Sequence, residues 1–264
     1  KSSDNFGSIT VAIARPNKPL IVRQMQYEKF NETVEKIANH CGQEHLGESP
    51  GIAQCKYVKI DNETSVLDEA EILASAVLNE VKLDQNAVKM AKIALNWPGR
   101  LQLINAESQL FLLDSGHNPS GLSRVKPQLS EMIQRHSTNG KWSLLFATSP
   151  QNDLAQMMQI VNEIIQQDNC QKIVLTKPLG GRYPGVEPSK LENLITQHNK
   201  IISTDSPSEA LEYFSSQSSE INGLIVSFGS LYLQGNILTH LGFDSDEDLS
   251  LIAKPSKITT DTEG

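Results

Sequence analysis

The feature that most constrains the fold of this chain is a regular alternation of apolar and amphipathic segments between residues 110 and 238. The amphipathic segments carry apolar residues at helical spacing, and they separate short apolar runs with the length of buried strands. These runs lie at residues 110–113, 142–147, 172–176, 201–203 and 224–228. Strands that alternate with helices predict a Rossmann-like, mostly parallel α/β sheet covered on both faces. Ligands bind such sheets at the carboxyl ends of the strands.

The chain before this region has a different, mostly helical texture. Helical spacing of apolar residues is found at 27–39, 68–81 and 86–95, and short strand-like stretches lie at 9–14 and 20–22. Trp97, Pro98 and Gly99 then end the helical pattern, because proline and glycine both stop helices.

The sequence therefore predicts one domain over residues 1–96 and a second, α/β domain over residues 97–243. Residues 244–264 are acidic and polar, which predicts a disordered tail.

Composition excludes several classes of function. The formal charge is −8 and the basic residues are scattered, so no basic face is available for nucleic acid. No apolar run approaches the roughly 20 residues that a membrane span requires. Cys41, Cys55 and Cys170 lie far apart, which disfavours a zinc site or a disulfide framework. We expect a soluble monomer that binds neither nucleic acid nor membranes.

The loop with the most chemistry follows the strand at 110–113 and reads Asp114-Ser115-Gly116-His117-Asn118-Pro119. A carboxylate, an imidazole and an amide at a strand end supply donors and acceptors for a ribose or a phosphate. The same residue types also occur in ordinary loops, so an unspecialised loop is an equally good interpretation of this segment alone.

Three segments together resemble a known family. Trp97-Pro98-Gly99-Arg100 resembles the linker between the central and terminal domains of folylpolyglutamate and dihydrofolate synthases. The loop at 114–119 is similar to their Asp-Gly-Ala-His-Asn-Pro loop, and Gly229-Ser230-Leu231-Tyr232-Leu233 resembles their closing Gly-Ser-Leu-Tyr-Leu segment. In order and spacing, the chain resembles the carboxy-terminal portion of this Mur-ligase-like family.

The resemblance implies an ATP-dependent ligase of folate biosynthesis. ATP would phosphorylate the carboxylate of dihydropteroate or folate, and the amine of L-glutamate would then displace the phosphate. Dihydropteroate is the acceptor that the loop sequence favours. The implied compartment is the cytoplasm, with the mitochondrion as the alternative.

The resemblance also implies roles for individual residues. Asp114 would hold the nucleotide ribose, Arg100 and His117 would approach the phosphates as catalytic groups, and Asn118 would belong to the same nucleotide-binding loop. Ser230 is a candidate for the glutamate side, with a helix cap as the alternative. The implied cofactors are ATP and Mg²⁺.

The chain departs from the family pattern in its phosphate loop and at two lysine positions, among others. It has no Gly-rich phosphate loop, so residues 1–96 would be only the carboxy-terminal part of a P-loop-type central domain. Thr10 and Asn152 stand where the family commonly has lysine, near the metal and in the loop after the strand at 142–147. We expect little ATP-dependent activity from this chain alone.

Two alternatives remain at this point. The chain could be a divergent or truncated paralogue that keeps the scaffold for binding or regulation. It could also be an unrelated Rossmann-like domain that contains His-Asn-Pro by chance.

Overall fold

A computed structural model describes residues 14–44, 54–61, 64–94, 97–106, 109–167, 169–197, 201–217 and 223–245. Thr10, almost all of the strand expected at 9–14 and most of the predicted tail lie outside the described residues. The chain divides into two compact units, residues 1–94 and 95–264. The domain identities that the resemblance implies stay predictions.

The described residues of the first unit form a pair of parallel strands and three helices. Its elements are β1 (Pro19–Arg23), α1 (Glu28–Glu44), β2 (Gln54–Val58), α2 (Val66–Glu80) and α3 (Asn86–Ala94). Pro19 pairs with Gln54 at the start of the two strands. A small core forms around the buried Ala14, Val34 and Ala38. The sequence did not predict β2, in which exposed and half-buried residues alternate.

The second unit alternates strands and helices as the sequence predicts. Its strands are β3 (Gln102–Ala106), β4 (Gln109–Leu113), β5 (Trp142–Phe146), β6 (Cys170–Leu175), β7 (Ile201–Ser203) and β8 (Leu224–Phe228). Its helices are α4 (Pro119–His136), α5 (Leu154–Gln167), α6 (Pro188–Glu192), α7 (Pro207–Ser216) and α8 (Leu231–His240). α6 is short, with five residues, and ends at Glu192.

The strands of the second unit form one sheet with the order β3-β4-β8-β5-β6-β7. All neighbouring pairs in this order are parallel except β3 and β4, which are antiparallel. Because β8 lies between β4 and β5, the ends of these three strands meet at the carboxyl edge of the sheet. The sequence did not predict the edge strand β3.

Alternate residues of the central strands point to opposite faces of the sheet, and helices cover both faces. Leu112, Leu144 and Val226 belong to one buried cluster, which also contains residues of α4, α5 and α6. Phe111 and Ile225 belong to a second cluster, with residues of α7 and α8. The predicted mostly parallel α/β sheet is therefore confirmed. No helix within the described ranges is long and apolar enough to cross a membrane.

Candidate functional site

The antiparallel pairing of β3 with β4 brings the linker at 97–101 to the loop that follows β4. Gln102 pairs with Leu113, so the residue before β3 faces the residue after β4. At this point the backbone N–H of Leu101 donates a hydrogen bond of 3.2 Å to Oδ2 of Asp114. Two of the three segments that carry the resemblance therefore meet through the register of one strand pair.

The carboxylate of Asp114 holds the loop together from inside. Its Oδ1 accepts a hydrogen bond of 2.7 Å from the backbone N–H of Gly116, while the Asp114 N–H donates to the Ser227 carbonyl. Asp114 is only 2% exposed. Both carboxylate oxygens thus accept backbone hydrogen bonds, which connect the linker to the loop, while the Asp114 N–H connects the loop to β8.

Burial raises the pKa of the Asp114 carboxyl above its usual value. The hydrogen bonds from Gly116 and Leu101 and the positive charges of Arg100 and His117 act in the opposite direction. Removal of a carboxylate from water disfavours its charged form, and nearby donors and cations recover part of that cost. The charges of Arg100 and His117 therefore act on the same carboxyl group.

A second contact between linker and loop involves Ser115 and Gly99. The Ser115 hydroxyl donates a hydrogen bond of 2.7 Å to the Gly99 carbonyl, and the Gly99 N–H donates one of the same length to Oε1 of Gln102. Gly99 has a φ of +66°, and a Cβ at this position would lie 3.1 Å from Cβ of Gln234. The close approach of the backbone explains the glycine in the linker.

The turn at Gly229 brings in the third segment. Its backbone N–H donates a hydrogen bond of 2.9 Å to the Gly116 carbonyl. Gly229 has a φ of +109°, and a Cβ there would lie 2.5 Å from the Ala147 carbonyl oxygen and equally close to the Phe146 ring. Any side chain at this position would collide with β5 and its extension.

Asn118 and Ser230 both begin helices. The side-chain oxygen of Asn118 accepts a hydrogen bond of 2.7 Å from the Gly121 N–H at the start of α4, and Pro119 follows as the first helical residue. The Ser230 hydroxyl accepts from the Leu233 N–H at the start of α8. The cap interpretation of Ser230 is confirmed, and the binding roles of both residues stay predictions.

Arg100 and His117 differ from the rest of the network because both side chains are exposed. Nδ1 of His117 lies 2.9 Å from the Ser115 carbonyl oxygen. In the tautomer with a proton on Nδ1, the ring donates to this carbonyl and leaves Nε2 to accept a proton or a hydrogen bond. The site thus combines a buried hydrogen-bonded scaffold with two exposed groups that suit an anionic ligand.

All five predicted residues lie in this network or next to it: Arg100, Asp114, His117, Asn118 and Ser230.

Two further members of the network were not predicted from the sequence. One is Ser115, whose hydroxyl donates to the Gly99 carbonyl. Gln234 is a polar residue on the buried face of α8, where it donates to Ser227 Oγ and the Ser230 carbonyl. A polar residue on the apolar face of a helix is the signal that points to it.

A surface pocket of about 450 Å³ lies beside the loop, between the amino-terminal halves of α4 and α5. Its lining combines apolar surface with hydroxyl, amide and carboxylate groups, from Pro119, Ser120, Ser123, Asp153, Gln156, Gln159, Ile160 and Glu163. None of the predicted site residues lines it.

The described part of the chain contains no group of three or more His, Cys, Asp or Glu residues that could hold a metal ion. Both oxygens of the Asp114 carboxylate accept backbone hydrogen bonds.

Comparison with known proteins gives no match by sequence and a clear match by fold. No family model matches the chain, and no curated protein sequence does. Among solved structures, a bifunctional folylpolyglutamate synthase/dihydrofolate synthase from Yersinia pestis, in complex with AMPPNP and a manganese ion, matches with a TM-score of 0.63 at 15% identity. That match covers 90% of this chain and 57% of the Yersinia chain.

Two further structures extend the comparison. A folylpolyglutamate synthase from Mycobacterium tuberculosis, in complex with ADP and AMPPCP, matches with a TM-score of 0.66 at 13% identity, over 92% of this chain and 60% of the other. A UDP-N-acetylmuramoylalanyl-D-glutamyl-2,6-diaminopimelate–D-alanyl-D-alanyl ligase from Acinetobacter baumannii matches with a TM-score of 0.56 at 12% identity, over 89% and 52%.

The chain thus spans a little over half the length of these proteins. The predicted resemblance to folylpolyglutamate and dihydrofolate synthases is confirmed at the level of the fold.

Proposed function

We propose that this chain contributes to an ATP-dependent ligase that joins L-glutamate to dihydropteroate or a folate. The γ-phosphate of ATP would pass to the acceptor carboxylate and give an acyl phosphate and ADP. The glutamate amine would then attack the acyl carbon, form the amide, lose a proton and release phosphate. A divalent metal ion would be needed to neutralise the nucleotide phosphates, with ligands from elsewhere in the ligase.

The observation that carries this proposal is the convergence of three distant segments at the carboxyl edge of the sheet. The linker, the loop after β4 and the turn after β8 resemble family motifs individually, and direct hydrogen bonds connect them. Carboxyl edges of open α/β sheets are where such folds bind their ligands.

Within the proposed ligase, Arg100 and His117 act on the phosphates. A guanidinium group neutralises phosphate oxygens through charge-assisted hydrogen bonds, and the free Nε2 of His117 can donate once it is protonated. Asp114 mainly positions Arg100 and His117. In this proposal its carboxylate also contacts the ribose.

A non-catalytic binding scaffold is the second candidate. The observation that favours it is the burial of Asp114, whose oxygens are already bound by the backbone of Gly116 and Leu101. A ribose would have to use the remaining lone pairs of a carboxylate that is almost inaccessible.

Calorimetric titration with AMPPNP and Mg²⁺ tests the nucleotide site directly. We expect binding by the wild-type chain, weakened about tenfold by Arg100→Ala through loss of a charge-assisted contact. Arg135→Ala is the matched control, since Arg135 is also exposed but sits in the last turn of α4, away from the carboxyl edge. Equal affinities for the three proteins would contradict the assignment of Arg100.

A glutamate-transfer assay separates the ligase from the scaffold. The full-length protein is incubated with ATP, Mg²⁺, labelled L-glutamate and either dihydropteroate or tetrahydrofolate, and the amide product and ADP are measured. The ligase predicts equal amounts of both products. Nucleotide binding without any amide product would favour the scaffold.

A further inference from the structure

A second region at the carboxyl edge of the sheet carries exposed apolar side chains. Within the described part of the second unit, the exposed large apolar residues are Trp97, two in the loop after β6 and two at the start of α8. These four are Leu179, Tyr183, Leu231 and Tyr232, with exposures of 51%, 58%, 57% and 40%. We call them the aromatic platform. Clusters of exposed apolar side chains commonly mark binding sites.

Direct contacts show that the loop after β6 and the start of α8 form this surface together. A Cβ at Gly181 would lie 3.1 Å from the Tyr232 ring, so the loop backbone packs against that ring. The N–H of Leu179 donates a hydrogen bond of 2.9 Å to Oδ1 of Asn236, and Nδ2 of Asn236 donates to the Leu179 carbonyl.

The loop is also held at both of its ends. The Lys177 ammonium lies 2.9 Å from a Glu187 carboxylate oxygen, and the Val186 N–H donates to the Thr148 carbonyl. Gly185 packs so closely on Pro178 that a Cβ would overlap the proline ring. A surface fixed in this way loses little conformational entropy when a ligand binds.

One cation lies directly against the platform. Lys177, at the start of the loop, is paired with Glu187, and the charge of Asp205 also acts on it. Arg182 is the cation beside the platform that is not part of this group. Its guanidinium lies 5.6 Å from the centre of the Tyr183 ring.

We propose that the aromatic platform binds the aromatic ring of an anionic acceptor, with a tyrosine ring against the ligand ring and Arg182 toward its carboxylate. Flat rings stack on tyrosine, and a guanidinium suits a carboxylate. This inference rests on the proposed function, which supplies an acceptor of the p-aminobenzoate type. It adds a contact surface for that acceptor outside the network around Asp114.

The test measures the binding of folic acid and of p-aminobenzoylglutamate to the chain by calorimetry. Tyr183→Ala and Tyr232→Ala should each weaken binding at least about fivefold, since stacking on an aromatic ring contributes roughly 1–3 kcal/mol. Tyr27→Ala is the matched control, because Tyr27 is 67% exposed and lies in the first unit. It should bind both ligands as the wild type does.

The role of Arg182 has its own measurement. Arg182→Gln should weaken binding of p-aminobenzoylglutamate and leave binding of the neutral p-aminobenzamide unchanged. Equal losses for the two ligands would overturn the assignment of the carboxylate to Arg182. Circular dichroism of each variant shows that it is folded.

Titration of the same variants with AMPPNP separates this inference from the proposed function. Lost folate binding with unchanged AMPPNP binding supports the platform. Unchanged folate binding in Tyr183→Ala and Tyr232→Ala overturns the platform and leaves the proposed ligase function intact. A wild-type chain that binds AMPPNP but no folate has the same consequence.

Two other results would assign the surface to a different ligand. Equal loss of AMPPNP binding in the tyrosine variants would make the surface a nucleotide site and overturn the inference. Self-association that Tyr183→Ala abolishes, measured by sedimentation velocity, would assign the surface to a second copy and overturn it too.

Discussion

The loop after β4 and the loop after β6 lie at the same edge of one sheet but use their side chains in opposite ways. In the loop after β4, the polar side chains of Asp114 and Ser115 point inward and bind backbone groups. In the loop after β6, backbone packing at Gly181 and Gly185 and a few polar anchors hold the chain. Its tyrosine and leucine side chains are consequently exposed.

The contrast between the two loops teaches that the chemical type of a side chain does not by itself show whether it is available to a ligand. The carboxylate that looks most like a ligand-binding group is mostly used for structure. Substitutions in the first loop should therefore affect folding first, whereas substitutions in the second should affect binding alone.

The largest effect is expected for Gly229→Ala. The new Cβ would lie 2.5 Å from the Ala147 carbonyl oxygen, so the turn between β8 and α8 must move. We expect a loss of at least about 3 kcal/mol in the free energy of unfolding, measured in urea. The control is Gly140→Ala, which has a φ of +71° but no atom within 4 Å, and should lose only about 1 kcal/mol. Similar losses in the free energy of unfolding for Gly229→Ala and Gly140→Ala would show that the turn moves and removes the collision at little cost.

Asp114→Ala should give the next largest effect. The substitution removes the acceptor of the buried Gly116 N–H and of the half-buried Leu101 N–H. We expect a loss of about 2–3 kcal/mol in the free energy of unfolding. A loss below about 0.5 kcal/mol would mean that the linker is not held through this carboxylate.

The pH dependence of stability tests the burial of the Asp114 carboxylate. The folded state raises the pKa of Asp114, so the folded protein binds this proton more tightly than the unfolded chain does. The associated stability is complete below the unfolded pKa of about 4 and is lost as pH rises through the folded pKa. The free energy of unfolding of the wild type minus that of Asp114→Asn should therefore fall as pH rises through this window. A flat or rising difference in urea titrations between pH 4 and 7 would contradict this sign.

Ser115→Ala should have a smaller effect on the linker. It removes the hydroxyl that donates to the Gly99 carbonyl and leaves the other contacts of the loop in place. We expect a loss of about 1 kcal/mol in urea unfolding. Ser123→Ala on the exposed side of α4 should change the free energy of unfolding by less than about 0.5 kcal/mol.

The smallest effect on stability is expected for Tyr183→Ala in the loop after β6. Because this side chain is 58% exposed, its removal should change the free energy of unfolding by no more than about 0.5 kcal/mol. A loss above 1 kcal/mol in urea unfolding would show that Tyr183 supports the loop, and the contrast between the two loops would fail.

The sheet of the second unit could be predicted because its strands are buried on both faces. Continuous apolar runs such as those at 144–146 and 224–226 then stand out from the amphipathic helices. The strands β2 and β3 were missed because each lies at the edge of its sheet, with mixed polar and apolar residues. Such strands are defined by their partner more than by their own sequence.

The candidate site could be located from the sequence but its internal organisation could not. Strand ends and motif order brought Arg100, Asp114 and His117 to one edge. The burial of Asp114 depends on the antiparallel register of β3, a strand that the sequence did not reveal. Exposure of Tyr183 and Tyr232 depends likewise on how the loop after β6 packs on α8, which no local pattern encodes.

The pairing of Gln102 with Leu113 determines where the linker meets the loop after β4. A change in chain length between Ala106 and Gln109 would leave the far ends of both strands aligned. Removal of one residue within β3 would instead shift the linker by one position, turn Leu101 away from Asp114 and carry Arg100 to the other side of the ribbon. In related chains, insertions should therefore accumulate at the tip of the β3–β4 hairpin, while the distance along each strand to the site stays constant.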